Sequence, residues 1–480
     1  MAIYGHSEFS VYANPDVSGD GTTVLYDFYA TFNQGKHTHN YTSVDGIAYL
    51  QTTSRTGGTD TQCLQSDFDD FPPINAIIAG INEATLVTSI STASIECESG
   101  NLFQVSASSI EFTLCATSQS KFKLYGSEMD IVVEYLSDRV DIKTPRLSIG
   151  EDMCEAEMEP ISISSLGKSL LTGSPIVEKE SRGLPVKLNI SILSDGGQCS
   201  CKSTPRPCIF IHGLGVKDEV PGLETSLPYW GTIISKHAPC CTSIKYAHLN
   251  TVSYSWLNGT QQQQVCDRAL AVSNSSTNGT IKDTIVVTHS MGSLMLAGGI
   301  ATKRCALDPS STWISTAAPM LGSMGSDYAQ EVCGGDKNVL AEKVAEFKEQ
   351  CPVQKATKSL AYKGGVHSDE RLDMAYSIAQ QVYRKHVYAV MCSESYSGVL
   401  SSYQAKFWIL GKMIPHKSSK NDGTVEFHSC AKGLNVADFG DTYKSRFYRT
   451  HLNHYDMQFR GGDAFWSKSK KPVKWFECLL

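Results

Sequence analysis

The stretch DTIVVTHSMGSLMLAGG, Asp283 to Gly299, constrains this chain more than any other. A run of β-branched residues stops at Thr288, delivers a polar His289-Ser290 pair, and passes Gly292 into an apolar, helix-capable segment. Strand before and helix after put the polar pair on the turn between them. A serine raised on such a turn needs small neighbours two residues away on either side, because strand and helix pass closely there. Gly292 meets that demand, whereas Thr288 is larger. An ordinary strand–loop–helix joint reads the same from this piece alone, so the rest of the chain must choose.

At 480 residues the chain exceeds one ordinary core, and its two halves have different patterns. Up to about residue 195 it reads as short strands rich in Thr, Val, Ile and Tyr. Examples are TTVLYDFYATF, GIAYLQTTS, ATLVTSISTASIECESG, KFKLYGSEMDIVVEYL and LPVKLNISILS. Several alternate polar and apolar, which predicts an antiparallel sheet with one wet face over residues 1–195. No chemistry is legible in it. Its general look, LYDFYATF followed by GIAYLQTTSR, is similar to the half-barrel sheets of lipoprotein-carrier domains, which cradle acyl chains.

From residue 196 onward, PCIFIHGLG, TVSYSW, DTIVVTHS, TWISTAAP and HVYAVMC are apolar runs separated by longer segments, several of them helix-capable. Strands buried on both faces and alternating with helices predict a mostly parallel α/β sheet over residues 196–480. Between TAAP and HVYAVMC lies an insertion at about 323–386 with two helical patterns. Leu340, Val344 and Phe347 share one face; Leu372, Ala375, Ile378 and Val382 share another. Helices there are expected to sit over the strand ends as a lid, with Cys333 and Cys351 bracketing the first.

A serine attacks poorly without a base, and the base needs an orienting acid. Downstream stand SSKNDGTVEFHSC, with Asp422 in an Asn-Asp-Gly turn, and YRTHLNHYDMQF, with His451 and His454 as candidate bases. Acyl transfer also places negative charge on oxygen, which backbone N–H groups stabilise. The residue after the serine, Met291, offers one such donor. The loop after the strand bearing His-Gly nominates Leu214 for the other.

Residues from about 205 to 460 resemble the lipase branch of the α/β-hydrolase superfamily. FIHGLG looks like its oxyanion strand, THSMGS its elbow, and STAAPMLGS its conserved strand-and-loop. NDGTV looks like its acid turn and NHYDM its histidine loop, all in the family's order. The resemblance implies Ser290 as nucleophile, Asp422 as acid, and His454 rather than His451 as base. It implies a lipid ester or another carboxylic ester as substrate, no required cofactor, and contact with a lipid surface as a passing event. Several members hold calcium through the aspartate after the histidine, which nominates Asp456 here without a placeable partner carboxylate. Thr288 and the missing histidine in AAPMLGS depart from the family pattern and leave room for an altered substrate. A histidine base of ordinary pKa, near 6.5, predicts activity falling below roughly pH 6.

Two other readings share these residues. An acyltransferase would use an acceptor alcohol in place of water, and a binding protein would keep the fold without turnover. A net charge of −7 argues against a phosphate-backbone partner such as DNA or RNA, which needs clustered Lys and Arg. No run of eighteen apolar residues exists to span a membrane. Sixteen cysteines without paired CxxC units read as a disulfide framework rather than zinc ribbons, in a pairing the sequence leaves open. With five glycosylation triplets, at Asn40, Asn189, Asn258, Asn274 and Asn278, they point to the secretory pathway. MAIYGHSEFSVYANPD shows no basic and apolar leader, so a mature or truncated form of a secreted protein is expected.

Overall fold

In Thr23–Gln34 the side chains of Val24, Tyr26, Phe28, Ala30 and Phe32 are buried, and every residue between them is more exposed. That period of two is a strand with one covered face. It sets the pattern of the first of two compact units, Met1–Gly197 with Ala464–Ser467; the second is Gln198–Asp463 with Lys468–Leu480. The computed structural model describes the chain apart from residues 1–2, 5, 21, 56, 65–73, 87–96, 98–101, 108–109, 119–120, 127–128, 149–153, 155, 157, 165–185, 193–198, 335–350, 400, 402 and 465–466.

The first unit is a twelve-stranded antiparallel sheet. Glu8–Val17, Thr23–Gln34, His37–Val44, Ile47–Ser54 and Thr59–Leu64 run as successive hairpins. Val186–Ile192 lies between Glu8–Val17 and Met129–Tyr135, joining the hairpins to a second run. That run continues through Lys121–Gly126, Ile110–Ser118, Leu102–Ala107 and Thr85–Leu86. Most of the strand expected over residues 84–100 lies outside the described residues. Helix Ile74–Asn82 packs on Leu102–Ala107, and Cys63–Cys154 and Cys97–Cys115 tie the unit together.

The second unit carries an eight-stranded sheet. Its order is Leu223–Glu224, Cys241–Ala247, Arg206–Ile211, Ile285–His289, Thr312–Thr316, Val387–Ser393, Phe447–Thr450, Phe439–Gly440. Every pair is parallel except Leu223–Glu224 with Cys241–Ala247. Cys208 to Ile211 and Ile285 to Val287 are wholly buried, as central strands covered on both faces must be. From Arg206–Ile211 the chain first adds a strand on one side and then Ile285–His289 on the other. The reversal opens a crevice at the strands' C-terminal ends, where open α/β sheets bind ligands.

Two expectations need correction. TVSYSW is not a strand: Asn250 Oδ1 accepts the N–H of Val252 and of Ser253, at 3.2 and 2.9 Å, and turns the chain. The strand in that region is Cys241–Ala247, near the sheet edge, where Thr242 and Ser243 stay exposed and no continuous apolar run is required. Nor does the second insertion helix, Glu370–His386, form a lid. It buries Leu372, Tyr376, Ala379 and Tyr383 in the main core, packs on helix Met291–Ala301, and leads directly into Val387–Ser393. The buried set runs one residue later than the expected Ala375, Ile378 and Val382; Ile378 faces water. The first helical pattern, 339–350, lies outside the described residues.

Met291–Ala301 is the central helix of this unit, with Met291 to Gly299 buried on every side. It lies between Glu370–His386 and the Gly259–Leu270 helix, whose start Asn258 caps by accepting the N–H of Gln261. All sixteen cysteines are bonded, in eight disulfides, six of them in this unit. Cys333–Cys351 is among them. Eight disulfides are consistent with an oxidising environment. Among the described residues no helix is long and apolar enough to cross a membrane.

Candidate active site

Ser290 stands between the strand Ile285–His289 and the helix that opens at Met291, with φ of 53° and ψ of −129°. A non-glycine residue there is strained, and packing holds it in place. Its N–H donates to Thr316 O at 2.9 Å, which pins the turn to the neighbouring strand. At Gly292 a Cβ would come within 2.6 Å of Ile211 O and 2.7 Å of His212 O, so only glycine lets the helix pass that strand. Thr288 is tolerated because its hydroxyl is used. Trp313 Nε1 donates to it at 2.8 Å and Ser293 Oγ lies 2.8 Å away, in a buried polar network with Ser315.

The structure brings Ser290, Asp422 and His454 together. His454 Nε2 is 3.0 Å from Ser290 Oγ, and His454 Nδ1 is 2.7 Å from Asp422 Oδ2. All three are buried, His454 least so at 9 % exposed. Asp422 Oδ1 accepts the N–H groups of Thr424 at 2.9 Å and Val425 at 2.7 Å, so the Asn-Asp-Gly turn aims the other oxygen at the imidazole. The His454 N–H returns a bond to Asp422 O at 3.0 Å. His451, the rival base, is held elsewhere: its main chain bonds to Ser469 and Gly398.

Leu214 follows the strand Arg206–Ile211 through His212 and Gly213. Gly213 is pressed against the serine: a Cβ there would lie 2.6 Å from Ser290 Cβ and 2.9 Å from Tyr229 Oη. The main-chain N–H groups of Leu214 and Met291 have no hydrogen-bond acceptor among the described residues. His212 is fully buried; its Nε2 accepts the N–H of Leu249 at 3.1 Å, so Nδ1 carries the proton and donates to Gly213 O at 2.8 Å. Burial pushes its pKa down to about 4, so the ring is neutral at ordinary pH.

Sequence reasoning missed three contributors. Tyr229 Oη lies 3.0 Å from the Gly213 N–H nitrogen and 2.6 Å from His289 Nδ1, and His289 Nε2 is 3.0 Å from His454 O. Burial, and then the neighbouring His454, hold the His289 pKa well below its ordinary value. The third is helix Gln404–Met413, whose Phe407 and Leu410 wall the site. No motif marks Tyr229 or this helix; His289 was in view but without a partner.

Ser290, His454 and Leu214 line one cavity of about 820 Å³ whose apolar wall includes Val252, Leu360, Phe407, Leu410 and Ile414. Phe407, Leu410 and Ile414 pack with Tyr328 and Ala329, from the Met324–Gly334 helix, in a cluster apart from the main core. Much of the rest of the lining is polar, with Lys217, Gln354, Thr357, Lys406 and Gln458 among it. Asp456, nominated for calcium, is buried, and its Oδ2 accepts the N–H groups of Val399 at 2.8 Å and Asn453 at 3.3 Å. Donors directed at that oxygen repel a cation, and no close group of three ligating side chains among the described residues includes it.

No protein-family model matches the chain, and no curated protein does. Among solved structures it is similar to the Staphylococcus hyicus lipase, at 12% identity over 57% of this chain and 95% of that one, with a TM-score of 0.30. It is similar to phospholipase PlaB from Legionella pneumophila at 13% identity over 48% of this chain and 46% of that one, with a TM-score of 0.28. The haloalkane dehalogenase DbeA from Bradyrhizobium elkani aligns at 12% identity over 55% of this chain and 87% of that one, with a TM-score of 0.26. These are likenesses of chain path, and the strand order and the strand–turn–helix joint at Ser290 carry the assignment. The order of the parallel strands and the strand–Ser290–helix joint give the second unit the α/β-hydrolase fold; an antiparallel sheet precedes it in the chain.

Proposed function

We propose that this protein is a secreted serine hydrolase that cleaves carboxylic esters, most of all lipid esters. The observation that carries the reading is the run Ser290 Oγ, His454, Asp422, at 3.0 and 2.7 Å, opening into a cavity with one apolar wall. Ser290 attacks the ester carbonyl while His454 Nε2 takes its proton. Asp422 keeps the imidazole in the tautomer with Nδ1–H and stabilises the imidazolium. The Leu214 and Met291 N–H groups take the oxyanion, contributing about 3 kcal/mol each by analogy with other enzymes. His454 then protonates the leaving alcohol, and water repeats the sequence on the acyl-enzyme.

The apolar wall favours an acyl chain over a small polar ester, and a lipid surface as its passing source. Eight disulfides support secretion as the destination. The antiparallel unit, by its likeness to half-barrel carrier sheets, would hold acyl chains. Removing residues 1–195 should then cost long-chain esters more than short ones, and an equal loss would count against that role.

A fluorophosphonate probe tests the central reading. It should label wild-type protein at Ser290 and leave Ser290→Ala unlabelled, while Asp422→Asn should lose about 10⁴-fold in kcat without unfolding. Intact wild-type protein that neither labels nor turns over any ester would point to a binding protein. Acyl transfer outpacing hydrolysis when an alcohol is added would point to an acyltransferase.

A further inference from the structure

His289 and Tyr229 lie outside the three-residue relay, yet they connect its parts. The direction of each bond follows from what each atom can do. His454 O only accepts, so His289 Nε2, 3.0 Å away, carries the proton. A neutral ring then has its lone pair on Nδ1, and the Tyr229 hydroxyl, 2.6 Å away, donates to it. The same hydroxyl oxygen accepts the Gly213 N–H at 3.0 Å. The run therefore reads Gly213 N–H to Tyr229, Tyr229 O–H to His289, and His289 N–H to the main chain of His454, with no gap and one sense.

We propose that Tyr229 and His289 are positioning residues: their hydrogen-bonded run ties the oxyanion loop at Gly213 to the backbone of the base His454. This rests on the reading of Ser290 as nucleophile. The run passes behind the serine, since His289 precedes it in the chain and Gly213 packs on its Cβ. The two groups that must meet a reacting carbonyl from opposite sides, the Leu214 N–H and His454 Nε2, are thereby held at a fixed separation. Such preorganisation costs nothing at the moment of reaction, which is why it lowers the barrier. Burial favours the neutral form of His289, the form whose Nδ1 accepts from Tyr229, so the sense of the run is kept beside His454. The His289 and His454 rings meet edge to face, 4.7 Å between centroids, and a loose His289 would let the base turn.

Tyr229 also lines the cavity, so a tyrosine variant alone would not separate positioning from substrate contact. His289 is wholly buried and does not line it, which makes it the decisive site. The experiment measures kcat and KM for a soluble short-chain ester, melting temperature, and fluorophosphonate labelling rate. The variants are Tyr229→Phe, His289→Phe, their double, His289→Asn and His289→Gln. Asparagine offers an acceptor where Nδ1 stands and glutamine a donor near Nε2, so each restores one link of the run.

The expected result is a fall of roughly 10- to 100-fold in kcat for each Phe variant, with KM within about 3-fold. The double variant should be no worse than the poorer single, because one run is broken once or twice to the same effect. His289→Gln and His289→Asn should each recover part of the loss. Wild-type kcat in folded His289→Phe, losses that multiply in the double, or a change confined to KM would overturn the proposal while leaving the hydrolase reading intact. If His289→Phe fails to fold, Tyr229→Phe against His289→Gln carries the same decision. A wild-type protein that neither labels nor turns over sinks both.

Discussion

The Gly213 carbonyl accepts a hydrogen bond from His212 Nδ1 at 2.8 Å, and it belongs to the same peptide plane as the Leu214 N–H. In a trans peptide the carbonyl and the N–H point opposite ways. Fixing the oxygen toward the buried ring therefore turns the Leu214 N–H away from it, on the side where Leu214 lines the cavity with Ser290. A plain His-Gly turn would have no need of an imidazole with both nitrogens engaged.

Replacing His212 by Phe should accordingly damage turnover more than binding. The Gly213 oxygen and the Leu249 N–H would both lose their partner, at about 1–3 kcal/mol of stability each. The freed peptide should cost on the order of 100-fold in kcat, the scale of a lost oxyanion donor. Steady-state kinetics on a soluble ester, with melting curves beside them, check this; unchanged kcat in a destabilised but folded variant would contradict it.

The two neighbours of Ser290 at a distance of two residues should behave oppositely. Gly292→Ala drives a Cβ to 2.6 Å from one main-chain oxygen and 2.7 Å from another, neither able to move aside. A loss on the order of 3 kcal/mol, or no soluble protein, is expected. Thr288→Val keeps the shape and removes only the hydroxyl that Trp313 and Ser293 use. It should cost about 1–3 kcal/mol of stability and leave kcat of the folded fraction within roughly 2-fold. Thermal melts and kinetics on both variants are the check.

Leu410 stands on the cavity wall, on a helix that no sequence signal identified. Leu410→Trp should fill the space an acyl chain would take. The ratio of kcat/KM for a long-chain over an acetyl ester should fall by about 10-fold or more, the scale of a few methylenes excluded from an apolar pocket. A ratio unchanged from wild type would mean that the chain lies elsewhere.

How far the sequence reaches can be judged from the same residues. The turn at Ser290 was legible because strand, serine and Gly292 are adjacent in the chain, so their relation is local. Asp422 was legible for a similar reason, since a carboxylate in Asn-Asp-Gly organises its own turn through Thr424 and Val425. The choice of His454 over His451 came only through resemblance, for the two stand three residues apart in the loop after Phe447–Thr450, and which of them meets Ser290 is a tertiary fact. Tyr229 and His289 meet across 60 residues, and nothing in LPYWG announces it. The strand Cys241–Ala247 escaped notice because an edge-ward strand has no uninterrupted apolar run to betray it. The helix Glu370–His386 was visible as a helix, yet its amphipathic pattern says only that one face is covered, and the covering proved to be the core.

Acid should weaken the second unit through its buried histidines. His212 has its folded pKa lowered to about 4 by burial, against about 6.5 for the unfolded chain. Between those values the unfolded state binds a proton that the folded state refuses, so stability falls as pH falls. The contribution is complete above about pH 6.5, is lost progressively toward pH 4, and changes no further below that. It amounts to about 3 kcal/mol for this ring. His289, lowered in the same direction by burial, adds a loss of the same sign. Five of the six tryptophans lie in the second unit, so urea unfolding followed by tryptophan fluorescence reports on it. Wild type and His212→Phe compared from pH 7.5 to 4.5 should converge by roughly 2–3 kcal/mol, because the variant lacks the titrating ring. Parallel curves would show that His212 takes up its proton as readily in the folded protein as in the unfolded one.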